Sequence, residues 1–385
     1  MGLRPAKPEV RAHRPLGVTR IGLRDFRNYE AAEVELSEGL TVVAGPNGAG
    51  KTNLLEALYF GCTARSPRTS NERELLRRGG QGVARVVLDL VGADGEHRIE
   101  VGLQPGEAKH MRVDGSPVDS LSAVAVRPLA SVFLPERLEL VKGAPAARRA
   151  HLDQVVAALW PSRAETRSSY SRALAQRNAL VARVRAGAGS PAALDAWDAE
   201  LARHGIRLMQ DRAETIDGLR PLFSGLATSL GLPGEAELRY RPRSTASDAN
   251  GLAAELAGRR HADLERGFTA HGPHRDELQL LLGSAALRAY GSQGQQRAAL
   301  LALLFAERAL LAQRRARLPL MLLDDVMSEL DAERRELLAE LLRSGGQAVV
   351  TTTEPEHVPG TMLATGGLVR VEGGAVTAAT RAVAA

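Results

Sequence analysis

Cysteine is nearly absent from this chain of 385 residues. Cys62 stands alone, which excludes an internal disulfide and every zinc site built from several thiolates. Long apolar runs are missing as well, and the longest, residues 298–306, is too short to cross a bilayer. The start of the chain mixes arginine and proline and lacks the apolar segment of a signal peptide. Residues 1–17 are therefore expected to be a flexible leader, and the protein to be cytoplasmic with no membrane partner. Aromatic residues make up only 3%, which leaves little for base stacking. Lysine is scarcest of the charged residues: Lys7, Lys51, Lys109 and Lys142 are four among 50 Lys and Arg. A lysine inside a recognisable motif is therefore informative. The net charge of +5 and pI near 9.7 permit polyanion binding. The arginine excess, alongside abundant alanine and glycine, equally fits a GC-rich genome.

What is present divides the chain into blocks. The length suggests two domains with a self-sufficient core. Alternating or continuous apolar runs predict strands at 19–25, 31–36, 40–44, 84–91, 97–103 and 131–134, with a helix over 51–62. From 146 to 265 Arg-, Ala- and Leu-rich helical stretches dominate, and strands return at 277–282, 318–324, 347–351 and 368–371. The expected organisation is a leader (1–17), an α/β unit in two pieces (18–145 and 266–385), and an inserted all-helical domain (146–265) between them.

Residues Gly45-Pro46-Asn47-Gly48-Ala49-Gly50-Lys51-Thr52 fit G-x-x-x-x-G-K-[ST] between a strand and a helix, the context this motif requires. Its glycines let backbone N–H groups wrap phosphates, and the helix N-terminus adds a favourable dipole. Lys51 is expected to reach the β- and γ-phosphates of ATP, Thr52 to hold Mg²⁺, and Asn53 to complete the ATP site. The run Pro319-Leu-Met-Leu-Leu323-Asp324-Asp325 reads as a buried parallel strand ending in two acids at the ligand crevice. Asp324 would hold Mg²⁺ directly or through water, and Asp325 would orient or deprotonate the attacking water. Upstream, Ser292-Gln293-Gly294-Gln295 opens a helical pattern. A serine there is either an ordinary cap or a phosphate ligand.

Phosphate loop, S-x-G-Q, hydrophobic-Asp-Asp and Ser328-Glu-Leu-Asp331, in that order, resemble the ABC-type ATPases. That resemblance implies an ABC-type head in which Ser292, Gln293, Gly294 and Gln295 contact ATP held by a second copy, with Asp331 at the dimer seam. Three further stretches are similar to the RecF family of bacterial recombination mediators: Asp25-Phe26-Arg27-Asn28-Tyr29, the run from Pro135 to Asp153, and Gly272-Pro273-His274-Arg275-Asp276. His151 stands where that family usually carries an aromatic residue, a change expected to affect packing only. The resemblance implies an ATP-dependent homodimer on duplex or single-strand/double-strand junction DNA, acting with RecO and RecR and assisting RecA loading in recombinational repair and the SOS response. It also implies association with the nucleoid. Transporter heads carry glutamate at the position of Asp325; the shorter arm predicts slow hydrolysis. Their switch histidine is absent, and Thr352, in a run of three threonines, is expected to meet the γ-phosphate instead.

Between residues 137 and 185 ten basic residues face three acids. Arg148, Arg149, Arg163, Arg167 and Arg172 are the candidates for DNA phosphates; a solvated helix face, or pairing with acids at a domain junction, is the alternative. A transporter head would use no such basic insert, a small-molecule P-loop kinase would need no S-x-G-Q, and no guanine-reading N-K-x-D occurs.

Overall fold

Largely apolar runs form parallel strands covered on both faces, and three such segments of this chain, 40–44, 320–323 and 348–352, are buried throughout. In the computed structural model, residues 16–381 are described except 81, 122–123, 344–345 and 360–366. The expected leader lies outside the described residues up to position 15, and the first strand begins at Gly17. Contacts divide the chain into two compact units, Met1–Val132 with Arg317–Ala385, and Phe133–Ala316.

The first unit opens with β1 (Gly17–Phe26), β2 (Tyr29–Glu35), β3 (Leu40–Ala44) and α1 (Lys51–Thr63). It continues through β4 (Ala84–Gly92), β5 (Gly95–Leu103), β6 (His110–Val113), β7 (Ser116–Pro117) and β8 (Ala130–Phe133). β1, β2 and β4 to β7 form an antiparallel sheet in the order β2-β1-β4-β5-β6-β7. Inward residues of its central strands, such as Ile21, Val86, Leu88 and Ile99, are fully buried, as period-two alternation requires.

The second unit begins with α2 (Glu139–Lys142), α3 (Pro145–Leu159), α4 (Ala164–Arg185) and α5 (Leu194–Ser229), a helix of 36 residues with Pro221 inside it. β9 (Ala236–Arg241), α6 (Ala249–Gly258), α7 (Arg260–Arg266), β10 (Glu277–Leu282), β11 (Ala285–Ala286), α8 (Leu287–Tyr290) and α9 (Gln293–Arg315) follow. This unit is not purely helical, because β11, β10 and β9 form a small sheet. Nor does it end at 146 and 265. The segment after residue 265 pairs β10 with β9 and packs α9 on α5, so it belongs with the helices. Four elements are joined by buried charge. Arg177 of α4, fully buried, donates to Asp198 (2.6 Å), Asp263 (2.8 Å) and Thr269 (2.7 Å). Arg212 of α5 donates to both carboxylate oxygens of Asp153 (2.8 and 3.1 Å) and to Asp276 (3.0 Å).

The chain then returns to the first unit as β12 (Leu320–Leu323), α10 (Ala332–Arg343), β13 (Ala348–Thr352), β14 (Gly367–Glu372) and β15 (Ala375–Arg381). The second sheet has the order β15-β14-β3-β13-β12-β8, in which β14, β3, β13 and β12 run parallel. Every residue of β3, β12 and β13 is buried. Gln347 joins the two sheets of this unit, accepting from Val18 N–H (2.8 Å) and donating to Val18 and Ser37 carbonyls (2.6 and 2.8 Å).

Replacing Arg177 with methionine strands the buried Asp263 carboxylate without its counter-ion. It should destabilise the second unit by about 3–5 kcal/mol, the usual cost of breaking a buried pair from one side. Urea denaturation followed by far-UV circular dichroism reads this as a lowered midpoint, whereas Arg203→Ala, on an exposed pair with Glu200, should leave the midpoint in place.

Candidate nucleotide site

The strand order brings the ends of β3, β13 and β12 side by side, although β3 lies some three hundred residues before the other two in the chain. The loop from Gly45 to Gly50 leaves β3 and turns into α1. Gly50, at φ 119°, is the helix cap, a conformation that side-chain-bearing residues rarely adopt. At Gly45 an added Cβ would stand 2.1 Å from the Val371 carbonyl oxygen, so no larger residue fits. Pro46, Asn47 and Gly48 are exposed at the lip. The Lys51 ammonium curls over the loop, donating to the carbonyls of Gly45 (2.7 Å) and Pro46 (3.0 Å). Burial lowers its pKa, while the carboxylates of Asp325 and Asp324 oppose the shift.

The two acids follow β12 directly. The Thr52 hydroxyl bonds to Asp324 at 2.8 and 3.0 Å from its two oxygens. The Thr351 hydroxyl, from the neighbouring strand β13, donates to Asp324 Oδ1 (2.6 Å) and accepts from the Asp325 N–H (3.0 Å). Asp325 itself is left-handed, at φ 46°, a sparsely populated state for a residue with a side chain. Its Oδ1 is buried with no hydrogen-bond partner. Asp324 and the Thr52 hydroxyl are hard oxygen donors suited to Mg²⁺, which is normally shared with substrate phosphates rather than caged by protein alone. No cluster of three His, Cys, Asp or Glu side chains converges among the described residues.

Thr352 does not join this group. Its hydroxyl donates to the Glu354 carbonyl (3.0 Å) and accepts from the Glu354 N–H (3.1 Å). Successive residues of a strand face opposite ways, so when Thr351 reaches the acids, Thr352 turns away. The threonine beside the acids is Thr351, whereas Thr352, the one expected at the γ-phosphate, is bonded to the Glu354 main chain.

The turn between β1 and β2 props the phosphate loop from below. Asn28 Nδ2 donates to the Ala49 carbonyl (3.1 Å), Asn28 Oδ1 accepts from Asn53 (2.8 Å), and the Tyr29 hydroxyl donates to the Gly50 carbonyl (3.0 Å). Gly374 N–H adds a second bond to Ala49 (2.9 Å). Asn53 thus buttresses the loop through Asn28. Arg27 grips the fully buried Glu56 of α1 through two bonds of 2.8 Å. The Asp-Phe-Arg-Asn-Tyr stretch was visible in the sequence, but nothing in its composition showed that it holds this loop.

Ser292 caps α9: its hydroxyl accepts from the Gln295 N–H (3.2 Å) and the Gln295 side chain accepts from the Ser292 N–H (2.8 Å). Ser292, Gln293 and Gly294 are exposed. Asp331 caps α10, accepting from the Arg334 N–H (2.9 Å), and Ser328 donates to the Asp325 carbonyl (2.8 Å).

Most of the arginines expected on DNA are engaged internally. Arg148, almost fully buried, donates to Glu277 (2.8 Å) and the Gly143 carbonyl (2.9 Å). Arg149 donates to the Asp276 carbonyl (2.8 Å). Arg163 binds Asp211 (3.1 Å) and Glu214 (2.6 Å) and lies over the Trp160 ring. Arg167 pairs with Asp153 (3.3 Å), and Arg172 is bonded to the Ser169 hydroxyl (3.0 Å). Of the two alternatives weighed for this stretch, pairing with acids holds for three of the five, Arg148, Arg163 and Arg167. His151 likewise does more than pack. Arg137 can only donate, so His151 Nδ1 accepts from it (3.3 Å) and Nε2–H is directed at Glu307 (2.6 Å).

No helix among the described residues is long and apolar enough to cross a membrane. The family model described as RecF/RecN/SMC N terminal domain matches residues 17–375. The DNA replication and repair protein RecF of Streptomyces avermitilis is 39% identical over 367 residues, covering 90% of this chain and 96% of its own. That of Anaeromyxobacter is 40% identical over 372 residues, covering 93% and 98%. A structure of the recombination mediator protein RecF with ATP in the RecFOR pathway superposes with a TM-score of 0.86 at 27% identity, covering 97% of this chain and all of that one. A Pyrococcus furiosus Smc head domain, at 16% identity and TM-score 0.58, shares the fold. With an ABC-type phosphate loop and acid pair in place and relatives matched along nearly their whole length, the chain belongs to the RecF family of ABC-type ATPases.

Proposed function

We propose that this protein is an ATP-gated switch of DNA repair, in which ATP bound at the phosphate loop joins two copies on DNA and its slow hydrolysis releases them. The observation that carries the reading is the acid pair: Asp324 is held by two hydroxyls, while Asp325, strained and with one buried oxygen unpaired, stands ready to accept a hydrogen bond from a water. The phosphate loop with Lys51 holds and neutralises the triphosphate. Thr52 and Asp324 would hold Mg²⁺, which neutralises charge developing on the phosphates when bound. Asp325 orients the attacking water, and Thr351 fixes Asp325 through its N–H. The exposed start of α9, with free N–H groups beyond its cap, offers an anion site to the nucleotide of a second copy. The family resemblance supports gapped or junction DNA as the platform, RecO and RecR as co-factors, and RecA loading as the outcome.

Light scattering on Asp325→Asn tests the dimer. Mg-ATP should shift the mass from 41.0 kDa to about 82 kDa for a symmetric pair, and adding Ser292→Arg should abolish the shift. A monomer at saturating ATP would leave Ser292 as a helix cap and remove the sandwich from the mechanism. Hydrolysis by the wild-type protein should stay below ~10 s⁻¹, a typical enzyme turnover, in a phosphate-release assay with DNA present. Thr351→Val should lower that turnover by about tenfold or more, the value of a lost hydrogen bond to a charged group, with ATP affinity little changed. Thr351→Ser should restore it; equal turnover in all three would show that Asp325 needs no such anchor.

A further inference from the structure

With Arg148, Arg149, Arg163 and Arg167 engaged internally, the second unit's uncompensated charge lies elsewhere. Arg185 ends α4, Arg266 ends α7, and Arg275 lies in the turn before β10; all three are exposed and none makes an ion pair among the described residues. They are brought together by one turn. Gly267, left-handed at φ 82°, terminates α7, and the Arg185 guanidinium lies against it, 2.6 Å from where a Cβ would stand. The next residue, Phe268, is 41% exposed, and the Arg275 guanidinium sits over its ring at 5.4 Å.

The potential here is positive by two further signs. Arg149, which donates to the carbonyl next to Arg275, has its pKa lowered by burial and then by the charge of Arg212, with Arg275 adding to the effect and Glu277 and Asp276 opposing it. His274 is held neutral, its pKa pushed down to about 4 by burial, with Arg275 and Arg149 adding to the effect. Two carboxylates beside the turn are already paired, Asp263 with Arg177 and Asp276 with Arg212, and Glu265, near His261, is the exposed acid of this stretch.

We infer that Arg185, Arg266, Phe268 and Arg275 form the surface on which the second unit meets the sugar–phosphate backbone of DNA. Planar guanidinium forks match phosphate oxygens. Stacking on Phe268 holds the Arg275 fork in place, so less side-chain freedom is lost on binding. Three unpaired arginines within one turn suit a repeating anion better than a single ligand. The assignment rests on the DNA-dependent reading given above and locates its contact.

The test is the salt dependence of DNA affinity, measured by fluorescence anisotropy with the full chain and Mg-ATP on duplex and gapped DNA. Each phosphate contact contributes about 0.9 to the slope of log K against log[salt] on duplex. Arg185→Ala/Arg266→Ala/Arg275→Ala should therefore reduce the slope by about 2.7, while the corresponding triple lysine variant keeps it. Phe268→Ala should weaken binding several-fold at an unchanged slope, since it removes no charge, and Arg203→Ala should change neither. Unaltered DNA-free ATP hydrolysis and thermal midpoint in each variant show that folding is intact. A wild-type protein with no salt-dependent DNA binding would overturn the DNA reading itself. Salt-dependent binding with a slope that the triple alanine variant leaves unchanged would overturn this surface alone and assign it to another polyanion or an acidic protein.

Discussion

The hydroxyl of Thr52, bonded to Asp324, is the contact on which the nucleotide site depends. It ties the first turn of α1 to the end of β12 across the intervening strand β13, and it exists only because the sheet order is β3-β13-β12. Parallel strands place their C-terminal ends on one edge, so chemistry drawn from both ends of the chain converges there without any long loop. Thr351 occupies the middle of that edge and bonds to both acids. The turn of Asn28 and Tyr29 fixes the loop from the other side. Each hydroxyl or amide in this arrangement answers a buried polar group that would otherwise be costly. The exception is Asp325 Oδ1, which is buried without a hydrogen-bond partner.

The phosphate loop and the acid strand were legible because their chemistry dictates residue types at fixed spacing: glycine where the backbone is left-handed or crowded, lysine for phosphates, acids at a strand end. Thr351 was not, because choosing between adjacent threonines requires the facing of the strand, and a buried parallel strand with both faces covered shows no alternation to read. The two-piece α/β unit was legible from the return of strands after a long Arg-, Ala- and Leu-rich stretch. Its edges were not. The sequence pattern placed them at the change of periodicity, near 146 and 265, whereas contacts place them at Phe133 and Ala316, since β9, β10, β11 and α9 complete the second unit. The short strands β6, β7 and β11 carry too few residues for any pattern.

Arginine illustrates a different limit. Counting charge along residues 137–185 shows an excess but not where each guanidinium ends. Some end in the interior, as Arg177 does, gripping carboxylates from two other helices at once. Buried pairs of this kind add little net stability over apolar packing, yet each is intolerant of losing one partner. They specify which helices meet. Within the described residues, those left without an acid partner include Arg185, Arg266 and Arg275 around the turn at Gly267.

The capping box at Ser292 decides which donors the start of α9 presents. Its serine hydroxyl accepts from Gln295 and its own N–H donates to Gln295, an arrangement worth about 1 kcal/mol at a helix start. The Gln295 N–H occupies only the acceptor side of the serine hydroxyl, so the O–H proton stays available as a donor, whereas the Ser292 N–H is held by the Gln295 side chain. The helix start thus keeps one donor open and one closed by its own glutamine, and the closed one is released only when that side chain turns away.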